Sequence, residues 1–144
     1  MVVNQTSSVV SDFVLNNHEN IPHRLSMMMG DKGILVGFTG DVWDLSCVRY
    51  VLWMQRQSFK LAAQGVTSAF VIPNETYELN GFFMSIPRNI PFPLLADPKQ
   101  SISAKFGMET PGFMLLNRDG EVQERWYVTD TSSLSIRVVL NRIG

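Results

Sequence analysis

Cysteine and histidine are nearly absent from this 144-residue chain, which carries only Cys47, His18 and His23. A single thiol excludes an internal disulfide framework and any multi-cysteine zinc or iron–sulfur centre. Two histidines close together near the N-terminus do not make a metal-ligand set. Charge is also scarce: Asp, Glu, Lys and Arg make up 17%, and the net charge is −1, where a soluble domain usually carries about 25% charged residues. A near-neutral surface has no field with which to capture a polyanion, so nucleic acid is not an expected partner. Long apolar runs are missing as well. Ile34–Phe38 and the stretch around Val48–Met54 fall far below the roughly 18 residues of a membrane span. Met1–Phe13 has neither the basic start nor the apolar centre of a secretory signal. The expectation is a cytoplasmic protein with no membrane contact, bound metal or cofactor.

Apolar residues are abundant at 45%, with nine Phe, three Trp and three Tyr. That supply supports one ordinary domain with a real core and argues against disorder. Residues 1–11 read as a polar lead-in and residues 12–144 as the domain. Asp12–Leu15 alternates like a short strand, and His18–Ile21 reads as a turn-rich loop. Met27–Met29 reads as a flexible apolar loop. Gly33–Phe38 is a short, continuous apolar run suited to a strand buried on both faces. Leu45–Gln64 reads as a helix presenting Val48, Leu52, Gln55, Phe59 and Ala62 to the sheet, closed by Gly65. Val66–Ile72 is a second buried strand. A crossover helix between two such strands makes them parallel. Glu75–Ile86 and Ser101–Phe106 read as further helices. Phe113–Leu116 and Val122–Val128 form a hairpin across a turn ending in Asp119-Gly120. Ser132 or Ser133 is positioned to cap a last helix through Ile143. This order predicts an α/β thioredoxin-like three-layer sandwich with a central mixed β-sheet.

Cys47 opens the long helix, directly after a loop leaving a buried strand. Unpaired first-turn N–H groups and the helix dipole stabilise a thiolate there, and open α/β sheets place ligands beyond the carboxyl ends of their strands. Arg49 adds positive charge nearby, whereas a close Asp44 raises the thiol pKa. A lone cysteine in an apolar helix is as readily inert packing.

The spacing Phe38-x8-Cys47 resembles that of the peroxiredoxins, the alkyl hydroperoxide reductase/thiol-specific antioxidant family. In that family a strand ending in Phe leads into Pro-x-x-x-Thr-x-x-Cys at a helix start. Asp12-Phe13-Val14-Leu15 is similar to the family's "dFtL". Phe92-Pro93-Leu94-Leu95-Ala96-Asp97-Pro98 with Ile102–Gly107 resembles its "fPlLsDp…vakaFGv", and Met114–Gly120 its "FlID-x-dG". The resemblance runs from Asp12 to the end in the family's motif order. It implies a redoxin that functions in antioxidant defence and cell redox homeostasis, with Cys47 as nucleophile and Arg49 as electrostatic helper. Trp43 and Asp44 would line the approach, and Thr110 and Pro111 would close the site. The departures fall on the catalytic motif. Gly40 stands where the family has Pro, Asp44 where it has Thr, and Pro111 near the place of its arginine, leaving Arg49 or Arg88 to supply charge. Trp43–Cys47 also resembles Trp-Cys-x-x-Cys with Asp44 replacing the first cysteine, and Thr110-Pro111 resembles the facing cis-proline of thioredoxins.

Three readings follow. In the preferred one, a thiol peroxidase, the Cys47 thiolate attacks the O–O bond of a peroxide and becomes a sulfenic acid that an external thiol reductant then reduces. A thiol–disulfide exchange protein would form a mixed disulfide instead. A non-catalytic binding module would keep Asp44 and Cys47 as remnants. A homodimer is compatible with each.

Overall fold

The computed structural model describes residues 9–87, 89–127 and 134–143. Two short strands, β1 (Val14–Asn16) and β2 (Pro22–Arg24), pair antiparallel ahead of a one-turn helix, α1 (Leu25–Met28). Then follow β3 (Gly33–Phe38), α2 (Leu45–Ala63), β4 (Val66–Ile72), α3 (Thr76–Ser85), β5 (Leu94–Ala96) and α4 (Ser101–Lys105). The chain closes with β6 (Gly112–Leu116), β7 (Val122–Tyr127) and α5 (Ile136–Asn141).

The five longer-range strands form one mixed sheet in the order β5-β4-β3-β6-β7. β3, β4 and β5 run parallel, whereas β6 is antiparallel to both β3 and β7. This is the expected thioredoxin-like architecture. Every residue of β3 is buried, because both faces of the sheet are covered. Leu35, Phe70, Ile72, Phe113 and Leu115 point to one face, under α2, α3 and α5. Ile34, Val36, Phe38, Ala69, Val71 and Met114 point to the other, where Phe13, Leu25, Ile102 and Phe106 cover them. Burying each such side chain contributes about 1.5–3 kcal/mol. The central position of β3 leaves little space beside it: a Cβ on Gly37 would collide with the Phe70 ring.

The structure revises three local expectations. Met27–Met29 is not wholly a loop, since α1 takes Met27 and Met28. β2 and β5 went unread because three-residue strands carry too little alternation to register. The face of α2 is rotated by about one residue from the expected stripe. Cys47, Tyr50, Val51, Met54 and Leu61 are buried, while Phe59 is 83% exposed. The stripe beginning at Val48 offered nearly as good a period, and one residue of phase is about 100° of helix rotation. The last described helix is capped by Ser135, whose hydroxyl accepts from the Arg137 N–H. Arg88, Val128, Ser132 and Ser133 lie outside the described residues.

Candidate functional site at the carboxyl end of β3

β3 ends at Phe38, and the chain crosses Thr39–Asp44 before α2 begins. Register brings the opposite loop to the same place. Phe38 pairs with Gly112, so Thr39 and Pro111 are the next residues outward on neighbouring strands, and the Thr110-Pro111 bond is cis. Cys47, Asp44, Trp43, Thr110 and Pro111 thus share one end of the sheet. Arg49 is on the same helix turn but exposed.

The sulfur is not at the surface. Cys47 has no accessible area and belongs to the core under α2. Its Sγ lies 3.4 Å from the Thr39 hydroxyl, which also reaches the Gly40 carbonyl at 2.9 Å. Either side chain can donate across the contact with the sulfur, and a hydroxyl turned toward it stabilises the thiolate. Burial pushes the thiol up to about 11; the Thr39 hydroxyl partly offsets this, and Asp41 and Asp44 add to it. The Cys47 N–H is also committed, donating to the Asp44 carbonyl at 3.0 Å. The anion-stabilising helix start predicted from sequence is thus outweighed by desolvation and two carboxylates. Among the described residues the upward shift at the sulfur carries no offsetting contribution from a cation, and the Arg49 side chain is exposed.

The loop over the sulfur is held by a residue that sequence reading passed over. Asn74, 2% exposed at the end of β4, accepts from the Val42 N–H at 3.0 Å and donates to Asp41 and Glu78, each at 3.3 Å. Pro73-Asn74 read simply as a strand terminator, although an Asn beyond the carboxyl end of a central strand is well placed to tie the neighbouring loop. Truncation would strand the buried Val42 N–H. Asn74→Ala is expected to cost about 2 kcal/mol and to raise the rate at which native Cys47 is alkylated, measured by urea denaturation and iodoacetamide labelling. Two large apolar side chains lie uncovered where the loop meets α2, Trp43 at 67% exposed and Leu45 at 65%, beside the exposed acids Asp41 and Asp44.

The chain matches the AhpC/TSA family over residues 7–125. No curated protein matches it. Solved structures that superpose on it include a peroxidoxin, BcpB, from Mycobacterium tuberculosis, 18% identical with a TM-score of 0.80, covering 96% of this chain and 95% of that one. A putative thiol:disulfide interchange protein DsbE from Chlorobium tepidum is 21% identical with a TM-score of 0.81, covering 96% and 98%. A Plasmodium vivax 2-Cys peroxiredoxin is 17% identical with a TM-score of 0.79, covering 94% and 78%. At these identities the superpositions establish the fold, and the sequence match establishes the lineage. The chain therefore belongs to the AhpC/TSA family, a redox family built on the thioredoxin fold.

Proposed function

We propose that this protein is a member of its redox family that acts by binding, with Cys47 held as a closed thiol and the surrounding face used to engage an extended, apolar stretch of another protein. The observation that carries this reading is the state of the sulfur: it is fully buried, and burial with the nearby Asp41 and Asp44 pushes the thiol up to about 11. Nucleophilic attack requires the thiolate, in contact with its substrate. The exposed Trp43 and Leu45 beside Thr110-Pro111 support the binding half of the proposal, because large exposed apolar side chains grouped at one end of a sheet favour contact with a partner.

A second reading keeps the chemistry. Asp44, the N-cap of α2, makes no side-chain capping bond, so side-chain capping does not hold the first turn over the sulfur closed. Opened, Cys47 would attack the O–O bond of a peroxide. One oxygen would remain as the sulfenic acid and the other would leave as water or alcohol, with an external thiol completing the cycle. A mixed disulfide with a partner thiol is the corresponding exchange chemistry.

Hydrogen peroxide consumption with dithiothreitol as reductant, together with dimedone trapping of sulfenic acid, separates these readings. The expected result is no consumption above that of Cys47→Ser and no adduct. Isothermal titration with carboxymethylated α-lactalbumin, a permanently unfolded chain, should give saturable binding that Trp43→Asp/Leu45→Asp abolishes. Peroxide turnover that disappears in Cys47→Ser, with dimedone on Cys47, would overturn the closed-thiol proposal in favour of the peroxidase.

A further inference from the structure

The opposite end of the sheet holds a second feature, independent of Cys47. Along β4, β5 pairs only with Phe70–Ile72, and the Phe70 N–H donates to the Pro93 carbonyl just before β5 begins. Among the described residues, Val66–Ala69 therefore have no strand on that side. The gap is bridged by α2 from one face of the sheet and α1 from the other, and between them lies a cavity of about 680 Å³. Small-molecule sites occupy roughly 300–1,000 Å³. Gln55, the nearest α2 residue in its lining, is eight residues beyond Cys47, about 12 Å along the helix.

The lining has a graded chemistry. At the mouth are Met27 and Phe59, 81% and 83% exposed, joined by the exposed Arg56. Among the described residues no Asp or Glu lines the cavity, and Arg56 has no carboxylate partner. Prolines 91 and 93 and Ala62 supply further apolar lining, interrupted by the polar His23, Gln55 and Asn89. At the floor is Ser68, 7% exposed, whose buried Oγ has no hydrogen-bond partner. A buried hydroxyl without a partner is unusual in a folded protein and costly to leave so. This one faces a cavity, on the α2 side of a strand whose other residues on that side, Val66, Phe70 and Ile72, are all apolar and all buried in the core.

We infer that this cavity binds a small amphiphilic carboxylate: a mostly apolar body whose carboxylate meets Arg56 at the mouth and whose distal oxygen bonds Ser68 at the floor. The cation unopposed by any acid selects an anionic head, the methionine, phenylalanine and proline walls select hydrocarbon, and the unpaired hydroxyl selects a second polar atom deep in the site.

The test uses the whole chain and three probes of matched length: 10-hydroxydecanoate, decanoate and 1,10-decanediol, each titrated by calorimetry. The hydroxy acid should bind about fivefold more tightly than either probe lacking one terminal group, the equivalent of one hydrogen bond of ordinary strength. Ser68→Ala should erase the preference over decanoate but keep that over the diol, and Arg56→Gln should do the reverse. Ala62→Trp, at an exposed helix position, should fill the cavity and abolish all binding while leaving the fold intact by circular dichroism. No saturable binding of any probe, or binding indifferent to Ala62→Trp, would overturn the inference. A concentration-dependent dimer dissolved by Phe59→Asp would also overturn it, since the mouth would then be a contact between copies of the chain.

Discussion

Native Cys47 is expected to react with iodoacetamide at neutral pH at least about a hundredfold more slowly than the same thiol in the urea-unfolded chain. Raising a thiol from 9.0 to about 11 lowers its thiolate fraction at neutral pH by that factor, and the absence of accessible area slows it further. The same shift makes stability depend on pH. Below pH 9 the thiol is protonated in both the folded and the unfolded chain, and nothing is lost. Between pH 9 and about 11 the folded chain keeps a proton that the unfolded chain releases, so stability falls as pH rises, by about 1.4 kcal/mol per pH unit. The loss approaches about 3 kcal/mol and levels off above pH 11. Cys47→Ala removes this limb. Other groups titrate in the same range, so the quantity to measure is the difference between the two proteins' urea-derived stabilities at pH 7 and pH 10.5. A parallel pair of pH profiles, or native labelling as fast as unfolded labelling, would show a sulfur that solvent reaches.

The buried strands Gly33–Phe38 and Val66–Ile72 were legible because continuous apolar runs bounded by turn residues have few alternative uses. The β6–β7 hairpin was legible because Asp119-Gly120 supplies the turn, with Gly120 at φ 82°. Strand order put Cys47, Trp43 and Asp44 beyond the carboxyl end of a buried strand, and the family resemblance put Thr110 and Pro111 opposite them. The electrostatic sign at Cys47 did not, because it depends on a competition that sequence does not weigh. Helix start and dipole favour the thiolate, whereas burial and the carboxylates of Asp41 and Asp44 oppose it. Burial was hidden by the phase of α2. The stripe through Phe59 and Ala62 looked like the core face, yet it borders the groove, and the face that carries Cys47 is the one against the sheet. Thr39, which contacts the sulfur, and Asn74, which ties the loop, are small polar residues at strand ends, and no sequence pattern separates such residues from ordinary turn formers.

Phe113→Ala should be the most damaging single truncation near this site, lowering stability by about 4 kcal/mol. Phe113 is 1% exposed in β6, and its ring meets those of Tyr50 at 5.9 Å, Trp53 at 5.1 Å and Phe70 at 6.0 Å. The substitution removes a buried aromatic side chain and also three ring contacts, each worth about 0.5–1.5 kcal/mol beyond area burial. A domain of this kind has about 5–15 kcal/mol in all, so the variant should melt far earlier. Two of the three rings belong to α2, which carries Cys47. Their loosening should therefore free the helix's first turns before the rest of the fold. Met114→Ala, on the opposite face of the same strand, provides the comparison, with denaturant used to bring both variants to equal global stability. Phe113→Ala should then label at Cys47 faster than Met114→Ala, because the sulfur is uncovered by local opening of α2. Equal labelling rates at equal stability would mean that only global unfolding exposes the thiol, and the peroxidase reading would lose the opening it requires.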